Sequence, residues 1–124
     1  MIVGMGIDLT EVHRIASMME RWGERFTRRI FTDGERAYAL SRASSALHLA
    51  ARFAAKEATL KALGVPPGLS WHEIEVVGGG REPPLLVLRG QALAAAGKLG
   101  MVRMHLSLTH TADVAAAVVV AEAE

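Results

Sequence analysis

An uninterrupted helical pattern from about residue 43 to residue 63 constrains the fold more than any other feature of the sequence. Gly64, followed by Pro66 and Pro67, marks its end, because glycine often follows the last helical turn and proline cannot continue a helix. The pattern predicts one long helix with a broad face of small and apolar side chains. The residues of that face are Leu47, Ala50, Ala51, Ala54, Ala58 and Ala62.

Glu57 lies near this alanine-rich face, where a plain core helix would carry an apolar residue. At roughly 100° per residue, Glu57 and Lys61 fall within or beside the sector of the alanines. Arg52 and Lys56 fall elsewhere on the helical wheel. Because burying an unpaired carboxylate is costly, we expect a backbone strand or a ligand to approach the helix closely beside Glu57.

The order of the other elements predicts an α+β fold. One apolar strand at the start is followed by a block of helices, and then by strands with one helix among them. Consecutive strands of this kind are typically antiparallel, so we expect a mostly antiparallel sheet packed against the long helix. With 124 residues, the chain is expected to form a single domain, 1–124. The run 114–120 is apolar throughout and is predicted to be a central strand.

Two local patterns predict where helices begin. Thr10 follows the first strand and could cap the first helix. Thr32 and Glu35 have the spacing of a capping box, in which each side chain accepts a hydrogen bond from the other residue's backbone N–H. We therefore expect a helix to start after Thr32.

Composition excludes several classes of protein. The formal net charge of +1 does not favour a nucleic-acid binder. Because the chain has no cysteine, disulfides and thiolate metal sites are excluded. No apolar run approaches the ~20 residues of a membrane span, and the first residues lack the basic leader of a signal peptide. A soluble cytoplasmic protein without a membrane partner is the default expectation.

Asp8 and Glu57 are the candidate metal ligands. Taken singly, Asp8 could cap a helix, and Glu57 with Lys61 could be a surface ion pair spaced i,i+4. Taken together, two carboxylates on separate elements favour a hard divalent cation, since Mg²⁺ binds one or two carboxylates and fills its other positions with water and phosphate oxygens. Lys61 would add positive charge against a phosphate.

Two stretches of the sequence resemble the holo-acyl-carrier-protein synthase family, the small bacterial 4′-phosphopantetheinyl transferases. They are "GIDLTEVHRI" at 6–15 and "RFAAKEATLKALG" at 52–64, and the ending "LSLTHTADVAAAVVV" is also similar to that family. The superfamily pattern is a Gly-x-Asp near the start, then an aromatic residue, Lys-Glu-Ala and a further lysine. It is matched here by Gly6, Asp8, Phe53, Lys56, Glu57, Ala58 and Lys61.

The resemblance implies a reaction and a set of site residues. Members transfer 4′-phosphopantetheine from coenzyme A to a serine of an apo acyl carrier protein, in fatty acid biosynthesis, and release 3′,5′-ADP. Asp8 and Glu57 would hold Mg²⁺, with Glu57, directly or through a metal-bound water, near the proton that leaves the serine. Lys61 would balance charge on the phosphate oxygens. The residues implied to bind coenzyme A are Arg52, Lys56, Lys61, Gly64, His110 and Thr111.

The resemblance also implies two protein interfaces. An arginine-rich helix near the start would bind the acidic carrier protein, and a homotrimer would place its active sites between subunits. The residues implied for carrier docking are Arg14, Met18, Arg21, Arg25 and Phe26.

Two alternatives to this reading remain open from the residues alone. One is another magnesium-dependent phosphotransferase or nucleotide hydrolase that uses Asp8, Glu57 and Lys61 on a different substrate. The other is a non-catalytic interaction module, in which Glu57 and Lys61 form only a surface pair. The second alternative gives no reason for the small-residue face beside Glu57.

Overall fold

Five strands form two antiparallel sheets in a computed structural model that describes all 124 residues. The strands are β1 (Ile2–Glu11), β2 (Ile74–Gly79), β3 (Glu82–Leu88), β4 (Met101–His110) and β5 (Val114–Ala123). β5 lies between β1 and β4 in a three-stranded sheet, so the prediction of a central apolar strand is confirmed. β2 and β3 pair as a separate two-stranded sheet.

Five helices connect and cover these sheets, and the α+β prediction is confirmed. They are α1 (Val12–Trp22), α2 (Glu24–Ile30), α3 (Asp33–Leu40), α4 (Ser45–Ala62) and α5 (Gly90–Lys98), with a 3₁₀ turn at Trp71–Glu73. α4 is the predicted long helix. The predicted capping box begins α3, where the Thr32 hydroxyl accepts from the Glu35 N–H at 3.2 Å and Glu35 Oε1 accepts from the Thr32 N–H at 2.9 Å.

α4 packs directly on the backbone of β1. A Cβ added to Gly6 would lie 1.8 Å from the carbonyl oxygen of Ala58, and one added to Gly4 would lie 2.0 Å from that of Ala62. No side chain fits in either place, so only glycine on the strand allows this approach. The expectation that a backbone strand lies close to the alanine-rich face is therefore confirmed.

The start of α1 differs from the prediction for Thr10. β1 continues through Glu11, which occupies the N-cap position of α1 without a capping side-chain hydrogen bond. Thr10 is a buried residue of β1, so it does not cap the helix. Asp8 likewise lies within the strand and not at its end.

The outer face of the three-stranded sheet carries exposed apolar side chains. Met5, Ile7 and Leu9 alternate along β1 with the residues that face α4, and they are 61%, 65% and 69% exposed. On the neighbouring β5, Val118 and Val120 lie opposite Ile7 and Met5 and are half-buried. Contiguous apolar surface of this kind commonly marks an interface with another protein.

No helix of the structure has both the length and the apolar character that crossing a membrane requires.

Candidate active site

β1 presents Asp8 to α4. Every second residue of β1 faces the helix, and Asp8 follows Gly6 on that face. Its Oδ2 accepts a hydrogen bond from the Thr10 hydroxyl at 2.8 Å, and its Oδ1 lies 3.4 Å from Lys61 Nζ. Lys61 Nζ also donates to the Ile7 carbonyl oxygen at 2.8 Å. The side chain of Asp8 is thus held by Thr10 of β1 and by Lys61 of α4.

Glu57 lies on α4 with its carboxylate free of protein ion pairs. Lys61, one turn further along, pairs with Asp8 and not with Glu57, so the surface-pair interpretation of Glu57 and Lys61 is wrong. Burial raises the pKa of Glu57, and the negative charge of Asp8 raises it further, while Lys61 and Arg14 act in the opposite direction. The two carboxylates therefore repel each other across the β1–α4 contact.

A hard divalent cation fits this arrangement. A cation between Asp8 and Glu57 would relieve both the repulsion and the unpaired charge of Glu57. No group of three or more His, Cys, Asp or Glu side chains is placed to hold a metal. Two carboxylates suit Mg²⁺, which leaves its remaining positions to water and substrate oxygens.

Lys56 does not belong with the residues that could contact coenzyme A. Its side chain is fully buried, and Nζ lies 2.7 Å from Oε1 of Glu35, which is also fully buried. Nζ donates in addition to the carbonyl oxygens of Trp71, at 2.9 Å, and of Ile74. Because all three ammonium protons are used inside the fold, the expectation that Lys56 binds a coenzyme A phosphate is wrong.

The other expected coenzyme A residues lie at ends of elements or near them. Gly64 follows α4 with φ = +81°, and its N–H donates to the Lys61 carbonyl oxygen at 3.1 Å. His110 ends β4 and is exposed. The Thr111 hydroxyl accepts hydrogen bonds from the backbone N–H groups of Asp113 and Val114, at 3.2 and 3.1 Å, within the turn to β5.

Arg52 belongs to a basic cluster around Tyr38 that the sequence did not reveal. The guanidinium carbons of Arg42 and Arg52 lie 3.6 and 3.8 Å from the centroid of the Tyr38 ring. Burial lowers the pKa of the neighbouring His48, and the charges of Arg42, Arg52 and His110 lower it further. Arg52 is buried, and its Nε has no hydrogen-bond partner. This concentration of positive charge, which Glu35 offsets only in part, would favour an anion.

The arginine-rich surface on α1 and α2 has a cavity at its centre. The cavity measures about 260 Å³. Trp22 is 43% exposed and has the guanidinium carbons of Arg21 and Arg25 at 5.4 and 5.7 Å from its ring centroid. Phe26 is 9% exposed, packs edge-to-face on Phe31 and lines the cavity, so its implied role as an apolar contact for the carrier protein stays a prediction. The residues that line the cavity are Met18, Trp22, Arg25, Phe26 and Arg29.

Arg14 differs from the other expected docking residues because its charge acts on Glu57. It is an exposed residue of α1. A protein bound at Arg14 would therefore lie near Glu57.

The family model of the 4′-phosphopantetheinyl transferase superfamily matches residues 4–119, which include Asp8, Glu57 and Lys61. The chain belongs to this superfamily.

Individual relatives indicate which group of the superfamily the chain is most similar to. A holo-[acyl-carrier-protein] synthase from Koribacter versatilis is 47% identical over 127 residues, covering 98% of this chain and 99% of the relative. A crystal structure of the synthase from Bacillus anthracis in complex with CoA (3′,5′-ADP) is 36% identical, with a TM-score of 0.79 and coverage of 100% and 99% of the two chains. The synthase from Neisseria meningitidis is 33% identical, with a TM-score of 0.86 and coverage of 98% and 99%.

The chain is thus one of the holo-[acyl-carrier-protein] synthases, and it is an enzyme of the phosphopantetheinyl transferase class. The alternative of a non-catalytic interaction module is wrong.

Proposed function

We propose that this enzyme transfers 4′-phosphopantetheine from coenzyme A to a serine hydroxyl of an apo acyl carrier protein, with Mg²⁺ held by Asp8 and Glu57, and releases 3′,5′-ADP. The observation that carries the proposal is the geometry of the β1–α4 contact. Asp8 faces α4 with Lys61 Nζ at 3.4 Å from its Oδ1, and the carboxylate of Glu57, one turn before Lys61, has no ion pair. The relative from Bacillus anthracis, which is described with bound CoA (3′,5′-ADP), supports coenzyme A as the donor.

Glu57 and Lys61 have distinct parts in the proposed reaction. The serine oxygen forms a bond to the phosphorus that carries pantetheine, and the bond from that phosphorus to the oxygen of the leaving 3′,5′-ADP breaks. Mg²⁺, when bound, supplies positive charge against the pyrophosphate. Glu57 would lie near the serine hydroxyl and accept its proton. Lys61 Nζ balances the charge on the leaving oxygen.

The remaining coenzyme A groups would bind at two places. Gly64, beside Lys61, has the backbone conformation of a helix end, where a ligand can approach closely. Arg52, His110 and Thr111 lie at or near the basic cluster, which would hold a phosphate. We propose that the site is built from two subunits, so that this cluster meets the Asp8–Glu57 pair of another copy of the chain.

The acidic carrier protein would bind the arginine-rich surface through Arg14, Met18, Arg21, Arg25 and Phe26. We expect Arg25→Glu to raise KM for the carrier protein and leave the affinity for coenzyme A unchanged, because charge complementarity mainly affects association. Steady-state kinetics with varied carrier protein and calorimetry with coenzyme A measure the two effects. Lys98→Glu, the same reversal of charge at the exposed end of α5, is the matched control and should leave both values unchanged. An equal loss of both affinities in Arg25→Glu would contradict a docking role.

We further propose a homotrimer in which the exposed apolar face of β1 packs against another copy of the chain. Met5→Glu should dissociate the assembly and lower activity, since a charge would be buried at the interface. Light scattering coupled to size-exclusion chromatography measures the mass. Leu93→Glu makes the same kind of change at an exposed leucine of α5 and should leave the mass unchanged. A Met5→Glu variant with the wild-type mass would show that this face is not the interface.

Mass spectrometry of the carrier protein tests the proposed reaction. The protein is incubated with coenzyme A, Mg²⁺ and an apo carrier protein, and the carrier is expected to gain the mass of one phosphopantetheine. A chelator should abolish the gain. Turnover of a nucleotide without any gain in carrier mass would favour the other magnesium-dependent reaction.

We propose further that the enzyme acts in the cytoplasm, in fatty acid biosynthesis.

A further inference from the structure

The buried pair of Glu35 and Lys56 is a polar feature that the proposed chemistry leaves unused. Lys56 joins α4 to α3 through Glu35, and to the segment leading into β2 through the carbonyl oxygens of Trp71 and Ile74. The ammonium group of Lys56 thus makes three bonds, one to Glu35 and one to each of the two carbonyl oxygens. An ammonium held in this way resists both rotation of the helix about its axis and translation along it.

Glu35 is itself fixed by the backbone around it. Its Oε1 accepts from the Thr32 N–H at 2.9 Å, and its Oε2 accepts from the Val76 N–H at 2.8 Å. The carboxylate therefore has little freedom to follow Lys56 if α4 moves. The pair is a rigid connection and not a mobile surface contact.

The contacts of α4 with the sheet restrain its rotation weakly. Helices are normally held in register by side chains that interdigitate as ridges and grooves. Toward the sheet, α4 presents single methyl groups, and β1 presents glycine backbone. These contacts are close but shallow, so polar bonds from α4 add directional restraint. Arg52 donates to the Gly78 carbonyl oxygen and Lys61 to that of Ile7, each at 2.8 Å, while the fully buried Lys56 has three partners. The alanines concerned are Ala54, Ala55, Ala58 and Ala62.

Glu57 follows Lys56 directly, so the orientation of one determines that of the other. Successive residues differ by roughly 100° around a helix, and a rotation of α4 by about 20° would move a carboxylate about 6 Å from the axis by about 2 Å. Mg²⁺ requires oxygen ligands at about 2.0–2.1 Å in near-ideal octahedral geometry. A displacement of that size would take Glu57 out of reach of an ion held by Asp8.

We propose that Glu35 and Lys56 are positioning residues, which fix the rotation of α4 and thereby direct Glu57 toward Asp8. This inference rests on the proposed function, because it concerns the geometry of the proposed metal site. Lys56 acts through Glu57 and touches neither coenzyme A nor the carrier protein.

The double variant Glu35→Gln, Lys56→Met tests the proposal, because it removes both buried charges together and leaves neither unpaired. We expect it to fold but to bind Mn²⁺, in the presence of coenzyme A, about tenfold or more weakly than the wild type, the usual effect of removing an outer support of a metal ligand. Electron paramagnetic resonance of free Mn²⁺ measures this affinity without turnover. We also expect a lower kcat and an unchanged KM for the carrier protein.

Thr59→Ala is the control for a purely structural effect on α4. Thr59 is fully buried, and its hydroxyl donates only to the Ala55 carbonyl oxygen of the same helix, at 2.7 Å. This variant should lose stability and keep the wild-type affinity for Mn²⁺. A loss of Mn²⁺ affinity in Thr59→Ala equal to that of the double variant would overturn the proposal, since any damage to α4 would then suffice.

A second variant covers the case in which the double variant does not fold. Glu35→Asp keeps both charges and shortens the carboxylate by one methylene, so we expect a smaller loss of Mn²⁺ affinity in the same direction. A folded variant, double or single, with wild-type Mn²⁺ affinity and kcat would overturn the proposal. If the wild-type protein itself fails to bind Mn²⁺ or to modify the carrier, the proposed function is what fails.

Discussion

We expect Glu57→Gln to lower kcat for carrier modification by about 10² to 10⁴-fold, the range for loss of a general base. Glutamine keeps the shape of the side chain but can neither accept the serine proton nor supply a charged ligand to Mg²⁺. Initial rates measured from the mass of the carrier protein give the effect. Glu20→Gln, the same change at an exposed glutamate of α1, should keep the wild-type rate. A Glu57→Gln variant with the full rate would remove Glu57 from the mechanism.

In the absence of metal, Glu57→Gln should be at least as stable as the wild type. The difference in stability between the two proteins should depend on pH. The pKa of Glu57 is higher in the folded protein than in the unfolded chain, through burial and then the charge of Asp8. The ionised group therefore disfavours folding once the pH exceeds the folded pKa, and this penalty vanishes below the unfolded pKa. Melting temperatures should favour Glu57→Gln at alkaline pH and converge in acid. A variant less stable than the wild type at alkaline pH would contradict the repulsion between Glu57 and Asp8.

Lys56→Met is expected to have the largest effect on stability. It leaves the fully buried carboxylate of Glu35 without its cation, and removing one partner of a buried ion pair costs about 3–5 kcal/mol. The total free energy of unfolding of a domain is only about 5–15 kcal/mol. We therefore expect much of the variant protein to be unfolded or aggregated, as measured by urea denaturation and circular dichroism.

Lys98→Met is the matched control for this change. Lys98 is exposed at the end of α5, and the free energy of unfolding should change by no more than about 0.5 kcal/mol. The double variant with Glu35→Gln should recover much of the stability lost in Lys56→Met. Wild-type stability in the single variant would mean that Glu35 and Lys56 do not form the buried pair described here.

Local patterns predicted the elements of the fold. The long helix, expected at 43–63, spans Ser45–Ala62, and the capping box at Thr32 and Glu35 begins α3. Both follow from interactions between residues close in sequence. Thr10 shows the limit of such reasoning: a hydroxyl after a strand can cap a helix, but here pairing with β5 carries the strand on to Glu11.

The candidate site was predictable only in part. The alanine-rich face indicated a close backbone approach beside Glu57, and Gly4 and Gly6 provide it. The burial of Lys56 was not predictable, because its partner Glu35 lies on another helix and local spacing holds no information about that pairing. The basic cluster around Tyr38 depends in the same way on contacts between α3 and α4.

The most direct measurement is an anomalous difference map from crystals grown with coenzyme A and Mn²⁺. A single peak is expected, at about 2.2 Å from carboxylate oxygens of both Asp8 and Glu57 and in contact with the pyrophosphate. Bound coenzyme A with no such peak, or with a peak that contacts neither carboxylate, would contradict the proposed metal site.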